Sequence, residues 1–328
     1  MGTRFGERLR RERLERGLTH DQLSRDLCPP GLISLLETGR REPSCELVRS
    51  LAGRLAPAPP GPGALLAALR AEQAWDEHDY AQSAGHALAA AQLALAAGDR
   101  LTRWDLSCLQ AECLMSQGHP RESKHILDRL VDDVPAPDPA GTELRCRTLL
   151  AEACTALGEH AEAIAHAREA LRLATSHPAH PAQQAAATRA LATALAEADD
   201  TDEAWAHCRS LEHLLDAGLP ARAAGEAHWT IGNIAVLRGE SGRATAHHQR
   251  AAELLMPLQD MQLWARFNLD ASAARLSRGI ADPFILAMIE QAETALAATG
   301  GSPLEHLHAT LNRAQWLYLR GGTAEAAR

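Results

Sequence analysis

Apolar positions in the first 55 residues fall into four short groups, each with helical spacing. Phe5, Leu9 and Leu14 mark one side of the first group, and Gly17 stops it. Thr19 opens the second, Gln22 follows three residues later as a capping-box partner, and Leu18, Leu23 and Leu27 face inward. The third is predicted from Pro30 to Glu37, since proline is tolerated in a first turn, and Gly39 ends it. Pro43 and Ser44 start the fourth, striped by Leu47, Val48, Leu51 and Leu55. Short helices with a tight turn between the second and third follow the helix-turn-helix plan.

"APAPPGPG", residues 56–63, then interrupts the pattern. It reads as a stiff Pro/Gly spacer. Its "GPG" follows no strand, so it is not a nucleotide loop. The expected organisation is a head over 1–56, a linker over 57–63 and a repeat domain over 64–328. Gly118, Gly158, Asp199, Gly239, Gly279 and Gly321 lie 40, 41, 40, 40 and 42 residues apart. Seven residues before each stand Ala111, Ala151, Ala192, Gly232, Ser272 and Ala314, all small; five after stand Ser123, Ala163, Ala204, Ala244, Phe284 and Ala326, small but for Phe284. Small residues at fixed places on paired helices let backbones approach, the register of tetratricopeptide-like units. An earlier pair near 64–77 and 80–97 extends the series, so about seven pairs are expected in a right-handed α-solenoid. The final half unit, "GTAEAAR", would leave an apolar face uncovered.

Composition supports an all-α chain: 46% of residues are apolar but only 3% aromatic, a core for close-packed helices rather than sheets. Lys124 is the only lysine, which removes the P-loop and kinase lysines. The net charge of −9 divides into +3 over residues 1–56 and −12 over the rest, a basic head on an acidic body. Cysteines 28, 45, 108, 113, 146, 154 and 208 form no CxxC pair and read as reduced thiols of a cytoplasmic protein. No membrane span and no signal peptide is expected. The sixteen histidines make no HExxH, so neither a metal nor another cofactor is expected. No nucleophile or carboxylate pair sits in a catalytic setting, so the chain is not read as an enzyme.

The string "RGLTHDQLSRDLC…IS.LETGRREPS" resembles the Xre, or lambda-repressor-like, helix-turn-helix. Cys28 directly after the second helix is similar to the peptide-pheromone-responsive RRNPP family, which joins such a head to tetratricopeptide repeats. The resemblance implies an ion pair between Arg13 and Glu37, and a phosphate contact at His20, where the family usually has glutamine. It also implies base reading by the residues at Pro30, Gly31, Leu32, Ser34 and Leu35, of which only Ser34 is polar. Bidentate base readout needs Arg, Lys, Asn or Gln, and this helix has none. The expected DNA contacts are therefore Thr19, His20, Gln22, Gly31, Leu32, Ser34, Leu35, Thr38, Arg40 and Arg41. They would act through phosphates, helix N–H groups and thymine methyls, with specificity coming from half-site spacing and DNA shape.

The first helix of each pair lines the concave face of such a solenoid. The register puts Arg145, Glu152, Arg189, Glu226, Trp229, Asn233, Arg266, Asp270, Asn312 and Gln315 near it. Asn233, Asn268 and Asn312 are the only asparagines. An asparagine suits a peptide backbone because it both donates and accepts, the role the resemblance implies, and arginines suit a carboxylate. The expected function is a transcription regulator: a homodimer on a palindromic or two-half-site operator, switched by a peptide or small molecule. The competing expectation is a repeat adaptor whose head no longer reads DNA.

Overall fold

Asp76 reaches across from the repeats to start the first helix of the head. Its two carboxylate oxygens accept from the backbone N–H groups of Arg4 and Phe5 at 3.0 and 2.9 Å, while Thr3 Oγ1 caps Gly6. The computed structural model describes residues 3–55, 61–134, 141–176, 180–258 and 260–321. Every regular element among them is a helix. The head holds α1 (Arg4–Glu15), α2 (His20–Ser24), α3 (Pro30–Glu37) and α4 (Cys45–Leu55). Paired helices follow: α5 (Gly61–Asp76) with α6 (Tyr80–Ala96), α7 (Arg100–Ser116) with α8 (Pro120–Val131), and α9 (Thr142–Ala156) with α10 (His160–Ser176). Next come α11 (Pro181–Glu197) with α12 (Thr201–Asp216), α13 (Ala221–Leu237) with α14 (Ser241–Leu254), and α15 (Met261–Leu276) with α16 (Pro283–Thr299), then α17 (Pro303–Leu319). The chain forms two units, Met1–Leu149 and Leu150–Arg328.

In the first unit, Phe5, Leu9, Leu23, Ile33, Leu36, Val48, Leu51 and Leu55 form one core with Leu65 and Leu69 of α5. The head thus borrows its last core layer from the first repeat, and each such leucine contributes roughly 1.5–3 kcal/mol. A Cβ on Gly6 would lie 2.5 Å from the Leu36 carbonyl oxygen, so only glycine lets α1 cross α3 this closely. Leu14 departs from expectation and is 56% exposed, because five residues beyond Leu9 it has turned roughly 140° off the buried face. The expected linker is also shorter than its composition suggests. Gly61 already opens α5, with Pro62 in the first turn, and residues 57–60 lie outside the described residues.

The repeat register is physical. Gly118, Gly158, Asp199, Gly239, Gly279 and Gly321 all have positive φ, the left-handed corner between helices of a pair. His78 shares it at φ 60° and stands 40 residues before Gly118, so it is the corner of the first pair. Seven residues before His78 is Ala71 and five after is Ser83; Ser83 Oγ donates to the Ala71 carbonyl at 2.8 Å. Ser123 Oγ repeats this on Ala111 at 3.0 Å. Only a small side chain leaves room for such contact between paired helices. Phe284, the exception, is half-buried beside Arg275, whose guanidinium carbon lies 5.5 Å from its ring centre. Ala326 and the rest of "GTAEAAR" lie outside the described residues. In the second unit α13 packs beside α11 and α15, and α15 beside α17, so the first helices are neighbours. Among the described residues no helix is long and apolar enough to cross a membrane.

Candidate functional site

The head is held by a buried fork. Arg13 Nε and Nη2 donate to the two Glu37 oxygens at 2.6 and 2.9 Å, and Nη1 donates to the Leu18 carbonyl at 2.8 Å. His20 Nε2 adds a contact to Glu37 Oε2 at 3.1 Å. Burial pushes the Glu37 carboxyl up, but its bonds to Arg13 and His20 outweigh that and hold it below the usual range. His20 is thereby drawn toward the ion pair.

Around this fork, Thr19, Gln22, Gly31, Ser34, Leu35, Thr38, Arg40 and Arg41 are exposed and Leu32 is half-buried. Thr19 and Gln22 cap each other reciprocally at 3.1 and 2.8 Å, and the Thr38 hydroxyl donates back to the Ser34 carbonyl at 2.8 Å. Arg40 and Arg41 make no ion pair among the described residues. The face they share with α3 has free cations and helix-start N–H groups, the chemistry of phosphate contact.

The opposite side of α1 is a salt lattice. Arg4 lies 2.5 Å from Glu112 and 3.9 Å over the Trp75 ring. Arg8 approaches Glu72 and Asp105 at 3.6 and 3.4 Å, and Arg11 meets Asp105 at 3.5 Å. Arg145 completes it, donating to Glu112 at 2.8 Å and Asp105 at 2.9 Å. Burial alone would raise the Glu112 carboxyl; Arg145 and Arg4 overcome it and bring it to about 2. Arg145, expected to meet a ligand, is here engaged with the acids that hold the head.

The second unit shows the same pairing along its first helices. Arg189 donates to Glu152 at 2.7 Å and faces Glu226 at 3.7 Å. Arg222 bridges Glu226 and Asp260, each at 3.2 Å, and Arg266 donates to Glu305 at 3.1 Å. Arg189 keeps 25% of its side chain exposed, yet burial still weighs against its charge and only Glu152 and Glu226 hold its pKa up. Asp270 is also exposed but makes no ion pair or hydrogen bond among the described residues. Enclosure pushes its carboxyl up to about 7 despite Arg266, with Glu197 and Glu305 adding to the rise.

The three asparagines divide. Asn312 is 1% exposed, and its amide donates to the Leu269 carbonyl and Ser272 Oγ at 2.9 and 3.0 Å. It bolts α17 to α15 and is not on the groove, correcting the expectation: the α17 turn carrying it packs inward. Asn268 is equally buried and donates to the Trp264 carbonyl at 2.8 Å. Asn233 is half-buried, on a stripe with Arg222, Glu226 and Trp229, and its Oδ1 meets His248 Nε2 at 3.0 Å. Gln315 is half-buried and donates to the Leu276 carbonyl at 3.1 Å, which also removes its amide from the groove. The structure adds residues that local reading missed: Asp105, Glu112, Asp260, Glu305 and His248. One signal lay in the chain: partners of opposite charge stand one repeat apart, as in the separations of 40, 37 and 39 residues at Asp105–Arg145, Glu152–Arg189 and Arg266–Glu305. Cys154, Glu159 and Glu162 place ligand atoms within 4.8 Å of one another, but both glutamates are exposed, a grouping common without a metal.

Fold and geometry define a class: an all-α chain with a helix-turn-helix head, continued by tetratricopeptide-like pairs. The family described as "Helix-turn-helix domain" matches residues 4–56. Three solved structures share the fold of nearly the whole chain. Bacillus thuringiensis PlcR, in complex with the peptide PapR7 and DNA, is 14% identical, with 94% of this chain and 98% of that one covered and a TM-score of 0.52. A Rap protein complexed with Competence and Sporulation Factor is 15% identical, with 98% and 99% covered and a TM-score of 0.60. The Rap conjugation gene regulator of plasmid pLS20, in complex with the Phr* peptide, is 12% identical, with 98% and 97% covered and a TM-score of 0.58. In fold, the chain resembles these three proteins. No curated protein sequence matches it.

Proposed function

We propose that the chain is a cytoplasmic DNA-binding transcription regulator whose second unit takes a short peptide signal on its groove. The carrying observation is the joining of two surfaces in one chain: a helix-turn-helix face with free Arg40 and Arg41, and a repeat groove that leaves Asn233 and Asp270 with unused polar capacity. The structures sharing this fold include one bound to peptide and DNA and two bound to peptides or factors, which supports the reading. A single head of net charge +3 supplies only non-specific affinity, with Kd of about 10⁻⁴ to 10⁻⁶ M, so the operator is read by a homodimer on two half-sites.

The test is fluorescence anisotropy on DNA from the protein's own promoter region, across salt concentrations. Arg40→Ala with Arg41→Ala is expected to weaken binding about tenfold and lower the salt slope by about two. The second reading, an adaptor whose head has lost sequence reading, is favoured by the exposed Gly31 and Leu35 at reading positions. No binding at low salt, or indifference to the double variant, would decide for it.

A further inference from the structure

His248 occupies a place where a histidine is not expected. Four residues past the small position of the second helix, the other pairs carry Ala87, Leu127, Ala167, Cys208 and Met288, all buried. His248 is 0% exposed in the same column, so both ring nitrogens need partners. Both have them. Arg275 Nε donates to Nδ1 at 3.1 Å, and Nε2 lies 3.0 Å from Asn233 Oδ1. Arg275, itself 3% exposed, also donates to Thr245 Oγ1 at 2.8 Å.

The proton positions follow from chemistry alone. A guanidinium carries only donors, so His248 Nδ1 accepts. Burial, with Arg275 and His247 nearby, lowers the ring pKa to about 3, so the ring is neutral and its one proton sits on Nε2. Nε2–H must find an acceptor, and the Asn233 atom facing it is therefore the carbonyl oxygen. The NH2 group of Asn233 points away from this packing and has no partner among the described residues. The neighbouring residue makes room for the ring. A Cβ at Gly232 would lie 2.2 Å from His248 Cδ2 and 2.5 Å from Nε2. This is why the small position is Gly here, where other pairs have Ala or Ser.

We infer that the chain Thr245–Arg275–His248 fixes the orientation of the Asn233 amide, with its oxygen held by the ring and its NH2 turned outward, so that the groove at this point donates to a carbonyl or carboxylate oxygen of a bound peptide. The inference rests on the peptide reading above. Asn233 is the binding group and His248 a positioning residue.

Two measurements on the full chain test it. The first needs no ligand: nitrogen NMR of histidine-labelled protein at neutral pH, with His248 assigned by its loss in His248→Met. The expected ring is the Nε2–H tautomer; an Nδ1–H or charged ring overturns the inference. The second uses a heptapeptide selected on the wild-type chain from a random library with free termini. Asn233→Asp, which keeps an acceptor and loses the donors, is expected to weaken that peptide about tenfold, as Asn233→Ala does. Wild-type affinity in Asn233→Asp alongside a loss in Asn233→Ala overturns the donor assignment. His248→Met, which suits the apolar column, is expected to weaken binding severalfold, and to add nothing when Asn233 is already alanine. An additive loss overturns the positioning role. A library without any binder overturns the peptide reading and the ligand half of the inference, and the tautomer measurement still decides the orientation.

Discussion

The two units use one device and leave it in different states. In the first, the cations Arg4, Arg8, Arg11 and Arg145 meet Glu72, Asp105 and Glu112, and Asp76 caps α1, so each of these charges lies within ion-pair distance of an opposite one, while Arg8 Nε and Glu72 Oε2 make no hydrogen bond among the described residues. In the second, Arg189, Arg222 and Arg266 pair along the first helices, but Asp270 is left over and Asn233 is half used. A surface whose charges close on themselves acts as an adhesive between head and repeat. A surface with one carboxylate and one amide unspent has capacity for something outside the chain. The comparison separates Arg145 from the other groove arginines, although spacing along the chain treats them alike.

The largest expected effect comes from opening the closed lattice. Glu112→Gln removes the charge shared by Arg145 and Arg4, and losing one partner of such a buried group costs about 3 kcal/mol. Urea unfolding of the full chain at neutral pH should show it. The pH dependence gives the sign. The folded carboxyl is depressed from 4.5 to about 2, so its contribution is present above pH 4.5 and lost as pH falls toward 2. Wild type and variant should therefore converge on acidification. Parallel curves would mean that Glu112 is a packing residue and the lattice no adhesive.

Next in size is a contrast between two glycines. Gly232→Ala drives a methyl group into the His248 ring and is expected to destabilise the second unit by about 2 kcal/mol, as overpacking does. Gly31→Ala, on the exposed face of α3, meets nothing within 4 Å and is expected to stabilise by about 0.5–1 kcal/mol through helix propensity. Thermal melts of the two variants give opposite shifts if Gly232 is there to admit the ring and Gly31 is not needed by the fold.

The local parts of this structure were legible in the chain. Capping pairs, proline starts and the glycine corners act over a few residues, so α3 and the Gly118-to-Gly321 register could be read directly. His78 hid the first corner because a residue other than glycine can hold positive φ at a modest cost. Asp76 capping α1 was not readable, since its partners are 71 and 72 residues away. Asn312 was misplaced for a related reason. Register gives the helix face only to within a turn, and one residue of rotation moves a side chain by about 100° from groove to core. The candidate groove was therefore found as a region, while the pairing that decides which of its residues are free is long-range and needed the fold.

The smallest effect tests the residue on which the open state of the groove depends. The Asp270 carboxyl is raised from 3.8 to about 7, first by enclosure and then by Glu197 and Glu305 against the pull of Arg266. A raised acid contributes stability that is fully present below pH 3.8 and lost as pH rises through about 7. At pH 8 wild type therefore carries an unpaired charge that Asp270→Asn removes. Because the side chain touches water, solvent screening leaves a gain of only about 1 kcal/mol, or roughly 2 °C in Tm for a unit of this size. That gain should shrink on acidification and vanish below pH 4. A variant less stable than wild type at pH 8 would show that Asp270 has a partner in solution, and the contrast between a closed first unit and an open second one would fall with it.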